Sequence, residues 1–250
     1  MRAATRALTI DSGGELLLGV LYLPSGPGPH PVVVLMHGFP GNEANADLAQ
    51  ALRTAGYACL LFHYRGSWGV GGDWSWANAL EDAARVTRAV LAMDELDPER
   101  VALLGHSMGG FAALMTAADE PRVRAVVSVS GFDFGAVTGA DGYARERYVE
   151  AFSAELLPLR GATGEGLVAE MEAAGQAWNL EALAPRLTGR ALLLIGTQLD
   201  EVTPPAVHHR PLVAAFDGAE HHEWPTDHAL SDHRPQLIAC VRDFLDRRLR

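Results

Sequence analysis

A serine hydroxyl becomes a nucleophile when a neighbouring imidazole takes its proton and a carboxylate holds that imidazole in one tautomer. Ser107 lies in a setting suited to this, within Gly105-His106-Ser107-Met108-Gly109-Gly110, which contains the pattern G-x-S-x-G. Val101 to Leu104 before it is an apolar run of strand length, and Ala112 to Ala118 after it reads as helix, without a breaker. A serine on a sharp strand-to-helix turn needs neighbours without side chains, because the backbone there is crowded. Gly105 and Gly109 give that clearance, and Gly110 lets the helix lie close to the sheet. The expected result is an exposed Ser107 hydroxyl above a helix N-terminus that favours developing negative charge.

The partners must come from elsewhere in the chain. Asp200 follows the apolar run Ala191 to Ile195, and His228 follows the short run Glu220 to Trp224, both in turn-rich segments. Of the other histidines, His221 and His222 fall inside a strand, His233 opens the last helix, and His106 adjoins the serine on a strained backbone. His228 is therefore the expected base. Asp200 is the expected acid, with Glu201 as its rival. His208 and His209 match no zinc spacing and read as surface residues, so no metal site is expected.

The elements that would position these groups alternate. Ala7 to Ile10 and Glu15 to Leu23 form a hairpin around Ser12-Gly13-Gly14. Pro31 to Met36 and Tyr57 to Phe62 are continuous apolar runs, as for strands buried on both faces, and Val123 to Val129 is another. Helices are expected at Asn45 to Ala55, Ala77 to Met93, Ala206 to Phe216 and Ser231 to Leu249. In the second of these, Leu80, Ala84, Val90 and Leu91 do not form a perfect stripe. Strands alternating with helices signal crossover units and a parallel sheet, hence an α/β fold. The rhythm breaks over residues 132–187, too long for a plain loop, where helices at Glu146 to Leu157 and Gly166 to Ala184 read as a small cap over the sheet.

Four segments carry a family resemblance: His37-Gly38-Phe39, Tyr64-Arg65-Gly66, Gly105-His106-Ser107-Met108-Gly109, and Asp200-Glu201-Val202-Thr203-Pro204. Over essentially its whole length the chain resembles the α/β-hydrolase superfamily, and it is most similar to small esterases of the dienelactone-hydrolase and prolyl-oligopeptidase-like branches. The resemblance implies a single domain over residues 1–250, with an eight-stranded, mostly parallel sheet and the nucleophile, acid and histidine in that chain order. It also implies that the backbone N–H groups of Phe39 and Met108 form the oxyanion hole. One departure concerns the acid: relatives place it three residues after the strand-ending glycine, whereas Gly196 and Asp200 are four apart. The chemistry implied is carboxylester hydrolysis on a small-molecule ester of short to medium acyl length, with no metal or organic cofactor. A peptidase or amidase, and a binding protein without turnover, are the alternatives.

For substrate contacts, Trp68, Trp74 and Trp76 in a Gly-rich loop are either core or an apolar pocket. Tyr148 and Trp178, with Tyr143 and Phe152, either line the substrate or form the cap's own core. Arg65 is expected to brace loops. The net charge of −11 argues against nucleic acid or an anionic membrane as partner. Cys59 and Cys240, both in apolar runs, are expected to be free thiols. Without an apolar leader or a run long enough to span a bilayer, the expected location is the cytoplasm, and a homodimer is left open.

Overall fold

A computed structural model describes residues 2–250. Eight strands form one sheet in the order β1-β2-β4-β3-β5-β6-β7-β8. β1 (Ala4–Ser12) and β2 (Glu15–Leu23) are an antiparallel hairpin whose last pair, Ser12 with Glu15, closes over Gly13 and Gly14. β2 also pairs antiparallel with β4 (Ala58–Phe62). From there the sheet is parallel through β3 (His30–Met36), β5 (Leu96–His106), β6 (Val123–Val129), β7 (Ala191–Thr197) and β8 (Glu220–Trp224).

The apolar runs alternate their side chains between two cores. Val32, Val34 and Met36 of β3, with Val101 and Leu103 of β5, face α2 (Trp76–Val90) and α3 (Met108–Asp119). Val33 and Leu35, with Ala102 and Leu104, face α1 (Ala46–Thr54) and α9 (Arg234–Leu249). Both faces are covered, as unbroken Val/Leu runs require. α2 begins where Ser75 Oγ accepts the Asn78 N–H. It does have a regular buried stripe: Trp76, Ala79, Ala83, Val86 and Val90, together with Asp82 and Thr87. The stripe is hidden in the sequence because a carboxylate and a threonine are part of it. Asp82 is tolerated there by bonds from Arg65 Nε, the Arg65 backbone N–H and Ser12 Oγ.

Between β6 and β7 the chain makes α4 (Phe134–Thr138), α5 (Arg145–Ala154), α6 (Gly164–Ala174) and two 3-10 turns, Gly175–Trp178 and Glu181–Arg186. The long helix expected to Ala184 therefore stops at Ala174, and Pro185 lies in the second short turn. α7 (Pro205–His208) and α8 (Arg210–Ala215) divide the segment expected as one helix. Cys59 and Cys240 are free. Among the described residues no helix is long and apolar enough to cross a membrane.

Candidate active site

Ser107 sits between the last residue of β5 and the first of α3 with φ 56° and ψ −124°. A non-glycine residue rarely holds a positive φ, and the strain has to be imposed by its surroundings. Here the fit is too close for alternatives. A methyl on Gly105 would fall 1.9 Å from the Gly109 carbonyl oxygen, and one on Gly109 would fall 1.9 Å from that of Met36. The residue is only 6% exposed, in contrast to the exposed hydroxyl expected, because the turns around it close over the elbow. Gly38 is one of them: a methyl there would meet Ser107 Cβ at 2.9 Å.

Asp200 and His228, from loops after β7 and β8, meet at this sheet edge. His228 Nδ1 lies 2.7 Å from Asp200 Oδ2. Asp200 is anchored from both sides. Its Oδ1 accepts the Val202 and Thr203 N–H groups, each at 2.8 Å, and its Oδ2 accepts the hydroxyls of Thr197 at 2.8 Å and Thr203 at 2.6 Å. Burial alone would raise its pKa. The bond and charge of His228, then the Thr203 bonds, outweigh that and hold the carboxyl well below the usual carboxylate range. Glu201 is exposed and takes no part in this arrangement. Gly196 lies inside β7, which runs to Thr197, so the acid stands in the turn directly after the strand.

The Asp200 bond puts the proton of a neutral His228 on Nδ1 and leaves the Nε2 lone pair as its basic site. Among the described residues the side-chain bonds of His228 run to Asp200 and Thr203, and none runs to Ser107 Oγ. The backbone N–H groups of Phe39 and Met108 have no backbone partner among the described residues. Met108 opens the 12-residue helix α3, where the first N–H groups are free by geometry. This arrangement can support a nucleophilic hydroxyl, a proton acceptor, an orienting anion and two donors for an oxyanion.

A cavity of about 480 Å³ opens here, lined by Gly38, Phe39, Pro40, His106, Phe152, Glu155, Val202 and His228 among others. Its aromatic wall is Phe39 and Phe152, whose rings lie 5.5 Å apart. Trp74 and Trp76, weighed above as pocket residues, are buried behind that wall. Trp76 packs 5.1 Å from Phe39 and 5.3 Å from Phe152 and donates its indole N–H to Leu167 O. Trp178 is also core, packed on Phe111 and Phe134. Tyr148 packs within the cap, against Tyr143 and Phe152. Their large apolar areas are used to seat the cap on the sheet, and none of these four lines the cavity. Trp68 is 43% exposed and lines an adjoining groove that shares Pro40, Asn42, Ala154 and Glu155 with the cavity. A different apolar cavity, about 560 Å³, lies under β1, β2 and β4 and contains none of Ser107, Asp200 and His228.

Of the four cap aromatics weighed for substrate contact, Phe152 alone lines this cavity; Thr197 and Thr203 had no assigned site role in the sequence. Thr203 belongs to the Asp-Glu-Val-Thr-Pro segment and could have been suspected there; Thr197 carries no such signal. His208, expected at the surface, is 3% exposed: its Nδ1 accepts the Asp133 N–H, and burial lowers its pKa to about 4. His209 is likewise buried, with its pKa lowered to about 4 by burial. Among the described residues no group of three His, Cys, Asp or Glu side chains is placed to hold a metal ion.

The sequence profile of the alpha/beta hydrolase fold matches residues 31–192. The quorum-quenching protein AidA of Acinetobacter baumannii is 34% identical over 131 residues, 50% of this chain and 43% of AidA. The 2,6-dihydropseudooxynicotine hydrolase of Paenarthrobacter nicotinovorans is 30% identical over 115 residues, 44% of this chain and 30% of that protein. These matches span less than half of either relative. Among solved structures, Est1E from Butyrivibrio proteoclasticus with bound ferulic acid has a TM-score of 0.79 at 20% identity, over 97% of this chain and 99% of that one. The acetyl xylan esterase from Paenibacillus sp. R4 has a TM-score of 0.72 at 18% identity, over 100% of this chain and 90% of that one. At these identities the likeness is one of fold.

Proposed function

The chain belongs to the alpha/beta hydrolase fold family, and from that premise we propose that it is a serine hydrolase of carboxylic esters with short to medium acyl chains. The observation that carries this reading is the 2.7 Å pair of Asp200 and His228 at the sheet edge where Ser107 is held at positive φ. Ser107 Oγ attacks the ester carbonyl carbon as its proton passes to His228 Nε2. The tetrahedral oxyanion is held by the N–H groups of Phe39 and Met108, each contributing about 3 kcal/mol to lowering the barrier. Collapse breaks the bond to the alkoxy oxygen, which takes the proton from His228 and leaves as the alcohol. Water then attacks the acyl-enzyme, giving its proton to His228, and the second collapse returns that proton to Ser107 and releases the acid. Asp200 stays ionised throughout and fixes the His228 tautomer.

The substrate class is supported by the cavity. Its volume of about 480 Å³ and its Phe39–Phe152 wall suit a small apolar acyl or alcohol group. Two proteins of similar fold, the acetyl xylan esterase of Paenibacillus sp. R4 and Est1E with bound ferulic acid, agree with ester chemistry. The test is a panel of p-nitrophenyl esters of increasing acyl length, run beside an amino-acyl anilide and with Ser107→Ala as control. Ester turnover and fluorophosphonate labelling are expected, both lost in Ser107→Ala. Absence of labelling in the parent protein defeats the hydrolase reading, and preference for the anilide defeats the ester assignment.

A further inference from the structure

We propose that His106 is a positioning residue for this reaction: it donates from Nε2 to the backbone carbonyl of His228 and so fixes the loop that carries the base. The proposal rests on reading Ser107 and His228 as nucleophile and base. The two atoms are 2.8 Å apart, across 122 residues of sequence. A carbonyl oxygen only accepts, so the His106 proton must be on Nε2, and the contact selects one tautomer. Nδ1 is then a buried lone pair, and it has no partner among the described residues. A phenylalanine or leucine would fill this space without stranding a nitrogen. What the imidazole adds is the donor.

Its place in the fold gives the bond its use. His106 ends β5, is 5% exposed, and is joined covalently to Ser107. The segment between β8 and α9 has no helix or strand of its own; it folds into turns through Leu230 N–H to Asp227 O and the Ser231 N–H and hydroxyl to the Asp227 carboxylate, and none of these bonds involves His228. Two consecutive carbonyls are taken there: His228 O by His106 and Ala229 O by Arg234 Nη1 at 3.2 Å. One covalent link and one hydrogen bond therefore connect nucleophile and base. On its other side His106 abuts the oxyanion turn, since a methyl on Gly38 would stand 3.6 Å from its Nδ1. The His106 and His228 rings lie 4.7 Å apart, so a charged His106 would oppose proton uptake by His228. His106 stays neutral: burial, then the charges of His228 and Arg234, outweigh the bond to His228 O and the attraction of Asp200 and lower its pKa to about 3.

The experiment compares His106→Phe, which keeps a ring and loses the donor, with His106→Gln, which keeps an amide donor on a flexible chain. A misplacement of about 1 Å costs on the order of a hundredfold in rate, so kcat of His106→Phe is expected to fall roughly 10- to 100-fold. His106→Gln is expected to retain more kcat than His106→Phe. If phenylalanine is the better replacement, His106 only fills space and the proposal is overturned. Nitrogen-15 NMR of the histidine rings in the parent protein is a separate readout that stands even where a variant fails to fold. A His106 signal of the Nε2–H tautomer is expected at neutral pH, and an Nδ1–H signal overturns the proposal. Ester turnover and fluorophosphonate labelling of the parent, lost in Ser107→Ala, are measured alongside. Their absence refutes the hydrolase reading itself, whereas their presence with an Nδ1–H His106 refutes only the positioning role.

Discussion

Replacing Asp200 by asparagine changes one oxygen to nitrogen and tests how the base is prepared. Val202 N–H and Thr203 N–H both donate to Oδ1, so the amide oxygen of Asn must stay on that side. Its NH2 then faces His228 Nδ1, which in the parent chain lies 2.7 Å from Asp200 Oδ2 and donates to it. Two donors cannot bond, so the imidazole is driven to carry its proton on Nε2, the nitrogen that accepts the Ser107 proton in the proposed reaction. A charge term adds to this. At the observed 2.7 Å separation and an effective dielectric of about 20, a carboxylate and an imidazolium attract by roughly 6 kcal/mol. Part of that is offset by relief of the buried carboxylate's desolvation, leaving about 4 kcal/mol. At 1.36 kcal/mol per tenfold, kcat should fall about a thousandfold. KM should change little, because Asp200 does not line the cavity. Initial rates on a p-nitrophenyl ester measure this, with Glu201→Gln expected within about twofold of the parent since Glu201 is exposed. A loss under tenfold in Asp200→Asn, or an equal loss in Glu201→Gln, refutes the reasoning.

The remaining expectations concern stability. Burial, the largest cause in each case, lowers the pKa of His37, His208 and His209 to about 4 and that of His106 to about 3. Between those values and the unfolded value of 6.5 the unfolded chain binds more protons, so stability rises with pH; Asp133, raised to about 6 by burial, opposes this with one group. Denaturant unfolding should therefore give a stability about 3 kcal/mol lower near pH 5.5 than near pH 6.5, and a flat profile over that window contradicts the buried neutral histidines. Ser107→Gly should remove the positive-φ strain and raise stability by about 1 kcal/mol while abolishing turnover, as read by unfolding midpoint and ester assay. Arg65→Met leaves Asp82, which is fully buried, without its cation and should destabilise the fold by about 3 kcal/mol or more; a midpoint unchanged from the parent rules out a bracing role.

What could be read from the sequence follows how local each constraint is. The Ser107 elbow was legible because its demands fall on neighbours: Gly105 and Gly109 are dictated by contacts closed within one strand-to-helix turn and against β3. The central strands were legible because burial on both faces leaves unbroken Val and Leu runs such as Pro31 to Met36. The α2 stripe was not, since Asp82 is admitted to it only by Arg65 and Ser12, residues 17 and 70 positions away.

The substrate wall failed for a related reason. A run of tryptophans advertises apolar area but does not say which surface will cover it. Trp74 and Trp76 are claimed by the cap, through the Trp76 indole bond to Leu167 O and the packing of Phe152. The cavity is left to Phe39 and Phe152, which belong to the turn after β3 and to α5 and are unmarked in the sequence as a pair. Chemistry in this fold is written in short stretches that end strands. The shape of the space above it is set by how an insertion from one strand end settles on loops from others, so specificity has no counterpart in any single stretch of the chain.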